Sequence, residues 1–172
     1  MDYDGAVAKA DLSEIVCSIA RTLDAVGERW TPLILRDLFV GMTRFEDIRR
    51  DLGIASNVLA ARLDTLRARG IVESRVYQTN PVRREYLLTA KGRELYPVLA
   101  TLIAWGDKWS AGTEGPPVVS VHRTCGRHAS GVVVCEECGE PLTAETVRWE
   151  PGPGARRGPG TMLVGDFIAA AE

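Results

Sequence analysis

The stretch from Thr43 to Thr89 constrains this chain most, because its apolar spacing reads first as two helices and then as two strands. Phe45, Ile48 and Leu52 make one stripe of a helix running from about Arg44 to Asp51. Gly53 supplies the permissive backbone of a sharp turn. A second helix follows over Ser56–Arg69, with Ser56 as N-cap and Leu59, Leu63 and Leu66 as its buried stripe. Gly70 stops it. Beyond lie IVESRVY and REYLL, two β-branched and aromatic runs around the turn QTNPV. Helix, turn, helix and two-stranded wing predict a winged helix-turn-helix, mainly α with a small β-wing (α+β).

A small helical domain with an ordinary hairpin would share that outline, and charge separates the two readings. From Thr43 to Arg93 there are 11 Lys/Arg against 6 Asp/Glu, while the rest of the chain holds 10 against 17. The net charge of −2 therefore conceals a basic segment in an acidic frame. Arg83 and Arg84 cluster at the hairpin tip, and Arg44, Arg49, Arg50, Arg62, Arg67 and Arg69 on the helices. A basic surface that presents a helix is the electrostatic footprint of phosphate binding, so double-stranded DNA is the expected partner. In that reading the first half of the Ser56–Arg69 helix enters the major groove. Asn57 meets base edges, and Ser56 caps or meets a phosphate. Arg62 faces DNA or an acidic neighbour, and Arg44 starts the helix that crosses the backbone. Arg83, Arg84 and Gln78 serve the wing contact. The rival is a docking module whose basic strip meets an acidic protein.

The flanking sequence fills in the domain. Residues 1–10 read as a flexible tail and 11–111 as the DNA-binding and dimerisation domain. From Asp11, the residues Leu12, Ile15, Val16, Ile19, Leu23 and Val26 predict an amphipathic helix ending near Gly27. Thr31 and Pro32 open a core helix carrying Leu33, Ile34, Leu35, Leu38 and Phe39, beside which Trp30 is expected to pack. After the wing, Ala90–Ser110 predicts one long helix with Leu95, Leu99, Leu102, Ile103, Trp105 and Trp109 exposed to a partner or core. Two-fold DNA sites favour a homodimer, with this helix and the first as its seam. Cys17 on the first helix is either a buried small hydrophobe or a thiol sensor that Arg21 helps to activate. No apolar run of about 18 residues predicts a membrane span. The acidic N-terminus lacks the apolar region of a secretion signal, so a cytoplasmic location is expected. No arrangement of nucleophile and base suggests an enzyme.

From Cys17 to Trp109 the chain resembles the HxlR-type family of bacterial transcription regulators, a branch of the MarR-like winged helices. The resemblance rests on Cys17 and on LDAVGERWTPLILRDLFVGMTRFEDIRRDL, LAARLDTLRARGIVESRVY, EYLLTAKGREL and WGDKW, in that order. It implies a dimeric, nucleoid-associated repressor or activator, repression being the expectation, whose wing and second helix contact an operator. In some members a cysteine near the start of the domain responds to electrophiles or oxidants, and Cys17 is the matching position. The family module ordinarily ends near the long helix, whereas this chain continues for about sixty residues more.

That continuation opens with a linker, GTEGPP at 112–117. Residues 118–150 then carry His122-x2-Cys125-x9-Cys135-x2-Cys138, the layout of a small zinc ribbon, with a glycine after each pair. Three cysteines within fourteen residues of a cytosolic chain favour metal over disulfide. The expected cofactor is one structural Zn²⁺, with His128 as the alternative to His122 for the fourth place. The competing reading is a metal-free hairpin in which Cys135 and Cys138 are reduced or form a redox couple. Residues 151–172, beginning PGPGARRGPG, read as a flexible tail.

Overall fold

A computed structural model describes residues 12 and 14–170 of the chain. The expected flexible tail over 1–10 lies outside the described residues. Two compact units are present: Pro32–Val147 forms one, and chain before Pro32 and after Val147 forms the other.

The larger unit is built on the stripes legible in the sequence. Helices α2 (Thr31–Val40), α3 (Phe45–Leu52) and α4 (Ser56–Ala68) lead into an antiparallel hairpin, β1 (Val72–Thr79) and β2 (Val82–Leu88). Ile34 and Leu35 from α2, Ile48 from α3, and Leu59, Leu63 and Leu66 from α4 are fully buried, with Ile54 closing the turn between α3 and α4. Each such side chain removed from water contributes roughly 1.5–3 kcal/mol, which makes this cluster the main source of the unit's stability. Gly53 takes φ 61° and turns α3 into α4. Gly70, at φ 67°, ends α4 in a Schellman motif: Ile71 N–H donates to Leu66 O at 2.9 Å, and Gly70 N–H to Arg67 O at 2.9 Å. Ile71 and Leu66 are both buried at that cap and start the wing from a fixed point.

Two expectations need correction here. Ser56 is the first helical residue of α4, and the N-cap is Ala55, which has no side chain to cap with. The long helix expected over Ala90–Ser110 is two helices, α5 (Ala90–Arg93) and α6 (Tyr96–Ser110). Pro97 lacks the N–H that a continuous helix would bond to Arg93, so the chain breaks before it and restarts with Pro97 in the first turn. Gly92 fixes α5 closely against the root of the wing, where a Cβ would lie 2.2 Å from Ile71 O. Phe39 meets Tyr96 edge-to-face at 5.2 Å and ties α2 to the start of α6.

Asp37 of α2 is fully buried. Its Oδ1 accepts from Arg36 Nη2 at 2.6 Å, and the same nitrogen donates to Asp51 of α3 at 2.7 Å. Burial raises the Asp37 carboxyl above its ordinary range, outweighing the lowering influence of Arg36.

In the smaller unit, helix α1 covers only Ser18–Val26, not the stretch from Asp11. Asp11 and Ser13 lie outside the described residues. Ile15 instead packs on Gly160, where a Cβ would come 2.7 Å from Ile15 Cγ2, and Val16 approaches Gly158. A tertiary contact has thus claimed apolar residues whose spacing also suits a helix. The stretch read as a C-terminal tail includes helix α7 (Val164–Ala169), where Asp166 pairs with Arg157.

Candidate nucleic-acid interface

The candidate interface grows out of how α3, α4 and the hairpin are joined. Arg44, the N-cap residue of α3, forms an isolated bridge with Glu85 of β2, and Tyr86 N–H donates to Thr43 O at 2.7 Å. The start of α3 is thereby stitched to the wing by one isolated bridge. The Arg44 guanidinium lies over the Tyr77 ring, 4.9 Å from its centroid, which holds an exposed cation in place without a carboxylate.

On the wing, the cross-strand partners alternate between its two faces. Arg75 and Glu85 pair at 2.8 Å on one. On the other, Arg84 Nη1 donates to Ser74 Oγ at 3.3 Å beside Tyr86. Burial raises the Tyr86 hydroxyl above its ordinary pKa, and the Asp64 carboxylate of α4 adds to this while Arg67 and Arg84 oppose it. That face therefore looks toward α4. The register shifts between Val76 and Gln78, a bulge that re-aims the strand just before its tip. Gln78 Nε2 donates to Asn80 O at 3.0 Å and braces the Asn80–Pro81 turn, whose peptide bond is cis. Gln78 pairs with Arg83, which is exposed.

The arginines singled out from sequence fall into distinct groups. Arg49 is committed to Glu46 at 3.0 Å and Arg67 to Asp64 at 3.1 Å. Among the described residues, Arg44, Arg50, Arg83 and Arg84 form no ion pair. Ser56 and Asn57 are exposed at the uncapped start of α4, so its first-turn N–H groups are left to an outside acceptor. Arg62 is half-buried, with its Nε enclosed by protein. Sequence reasoning missed Tyr77 and Ser74 as the supports of Arg44 and Arg84. Only strand register and the bulge reveal those partnerships.

Cys17 is not on α1 but at its N-cap position, extended at φ −146° and ψ 131°. It is a half-buried free thiol, and its carbonyl accepts from Arg21 N–H at 3.1 Å. Toward the far end of the larger unit, His122 Nδ1 lies 3.4 Å from Cys125 Sγ. Cys135 and Cys138 make a second adjacent pair. Backbone N–H groups of Cys138 and Glu137 aimed at its sulfur hold the Cys135 thiol below its ordinary pKa. His128 is bridged through its backbone to Val121. Among the described residues, no three His, Cys, Asp or Glu side chains surround a single point.

Comparison with known proteins supplies the context for this geometry. Residues 25–114 match the profile of the HxlR-like helix-turn-helix family. An HTH-type transcriptional regulator of Mycobacterium tuberculosis is 45% identical over 137 residues, 80% of this chain and 87% of the relative. The aligned residues outnumber the 114 that precede the end of the family match, so this similarity runs on into the appended segment. Among solved structures, PA1607, a candidate transcription factor, aligns with a TM-score of 0.71 and 38% identity, over 79% of this chain and 95% of its own. The reduced form of the redox regulator HypR aligns with a TM-score of 0.51 and 33% identity, over 54% of this chain and 92% of its own.

Proposed function

This chain belongs to the HxlR-like helix-turn-helix family and is a DNA-binding transcriptional regulator, not an enzyme; we propose that it acts as a homodimeric repressor whose α4 and wing read an operator. The observation that carries the proposal is the division of the arginines. Carboxylates hold Arg49 and Arg67, whereas Arg44 lies over the Tyr77 ring, Arg84 donates to the Ser74 hydroxyl, and Arg83 is exposed beside the turn that Gln78 braces. Such surroundings leave the charge of each cation for phosphate.

Each residue then has a role. Asn57 meets a base edge from the first turn of α4, and Ser56 with the uncapped N–H groups meets a phosphate. Arg44 contacts the backbone where α3 crosses it. Arg83 and Arg84 reach the backbone or minor groove, with Gln78 shaping the turn that presents them. Arg62, half-buried, takes the lesser part of holding α4. The dimer uses the apolar residues that α6 leaves exposed, Leu102, Trp105 and Trp109, together with Ile19 and Leu23 of α1. The protein works in the cytoplasm, on the chromosome. Cys17 is proposed as the redox trigger: hydrogen peroxide would transfer one oxygen to its sulfur, its O–O bond breaking, so that thiol and peroxide become sulfenic acid and water at the N-cap of α1.

The test is selection of bound fragments from genomic DNA, followed by footprinting. The expected result is a few two-fold symmetric sites. Asn57→Ala should lower discrimination between a selected site and random DNA by about 10-fold, in keeping with roughly 1–3 kcal/mol for a base contact. Equal loss on both DNAs would reduce Asn57 to a positioning group, and no duplex binding at all would leave the docking-module reading. Cys17→Ser should bind DNA normally and ignore peroxide. A variant that still responds removes Cys17 from the proposal.

A further inference from the structure

Residues 120–129 and 133–142 fold as two copies of one turn, offset by thirteen positions. In the first, Gly126 N–H donates to His122 O at 2.8 Å, His122 N–H to Arg127 O at 2.9 Å, and Ala129 N–H to Ser120 O at 2.9 Å. In the second, Gly139 N–H donates to Cys135 O at 2.8 Å, Cys135 N–H to Glu140 O at 2.8 Å, and Leu142 N–H to Val133 O at 3.0 Å. The bridges Val121–His128 and Val134–Pro141 close both, and Gly126 and Gly139 take the matching φ values of 67° and 76°. The repeat puts His122 where Cys135 stands and Cys125 where Cys138 stands. It puts His128 where Pro141 stands, a position with no donor.

We infer that His122, Cys125, Cys135 and Cys138 bind one Zn²⁺ per chain as a closed tetrahedral centre, and that His128 has no part in it. Three thiolates with one imidazole suit zinc and leave no open position, so the role is structural. The first pair already has the right span. Zn–N of about 2.0–2.1 Å and Zn–S of about 2.3 Å at a tetrahedral angle separate the two donors by about 3.6 Å, close to the 3.4 Å between His122 Nδ1 and Cys125 Sγ. In the second turn the N–H groups directed at Cys135 sulfur are those that commonly support a bound thiolate.

The segment has need of a cross-link. No residue from 118 to 147 is buried, so apolar packing does not hold it. One close anchor is Gly131, midway between the turns, where a Cβ would lie 2.6 Å from the carbonyl of Ala100 in α6. On either side of that anchor a cleft of about 850 Å³ separates the segment from α6. The two turns stand as separate donor pairs, and one metal shared between them would be the cross-link that packing does not provide. Metal binding then supplies the folding energy that packing does not.

The test uses the full chain, purified under reducing conditions and analysed for metal and free thiols. One Zn²⁺ per chain is expected, and Co²⁺ in its place should show the absorption of a tetrahedral thiolate site. Cys138→Ser and His122→Ala should weaken zinc binding by at least about 100-fold in competition with a chromophoric chelator, since even outer-shell changes cost 10–100-fold. His128→Ala should bind as tightly as the unaltered chain. His122→Cys should keep one Zn²⁺ and shift the Co²⁺ spectrum, which covers the case in which the alanine variant misfolds. Four results would each overturn the inference: no retained metal, half a zinc per chain, loss in His128→Ala, or a Cys135–Cys138 disulfide in the reduced preparation.

Discussion

Arg83→Ala offers the most direct measurement of the wing's part in DNA binding. Arg83 is exposed, sits on the tip that Gln78 braces, and forms no ion pair among the described residues. If it neutralises one phosphate, a homodimer loses two such contacts, and the slope of log K against log salt becomes shallower by about 1.8. Between about 50 mM and 200 mM salt, the advantage of the unaltered protein over the variant should therefore shrink by about 12-fold. Arg67→Ala is the matched control. Its guanidinium is already paired with Asp64, so the slope should change by less than about 0.5. Fluorescence anisotropy on one operator duplex and one random duplex, in a salt series, reads both. An unchanged slope for Arg83→Ala, or an equal change for Arg67→Ala, would refute the division of arginines on which the proposed interface stands.

Gly92→Ala should lower stability by about 2 kcal/mol. The helix propensity gained, about 1 kcal/mol, is outweighed by overpacking and by loss of the Thr89 cap, read as a fall in thermal midpoint. Gly106→Ala, with nothing within 4 Å, should show no such fall. Asp37 titrates in the folded state above its ordinary 3.8, so its stabilising protonation is complete below that value and is lost as pH rises through the raised one. Urea midpoints across acid pH should show the margin of the unaltered chain over Asp37→Asn growing as pH falls through that window and staying flat above it. Trp105→Glu on the exposed face of α6 should weaken dimerisation by at least about 30-fold in sedimentation, and DNA affinity with it. A variant that stays dimeric would move the seam off α6.

The sequence alone determined the elements that local spacing dictates. The stripes Ile48 and Leu59–Leu63–Leu66, the glycines that end α3 and α4, and the two strands are all consequences of period and turn chemistry. They stand because burial and backbone freedom point to the same conformation at each of those positions. Only the tertiary structure decided the rest, since it depends on which distant groups come together. Gly160 drew Ile15 out of the expected first helix and left Cys17 at a cap, while packing at Ile71 and the missing N–H of Pro97 divided the last helix of the domain in two. Charge counts could locate a basic segment but not tell Arg67, held by Asp64, from Arg83, which no carboxylate among the described residues holds. A count has no distances, and an ion pair exists only at a distance.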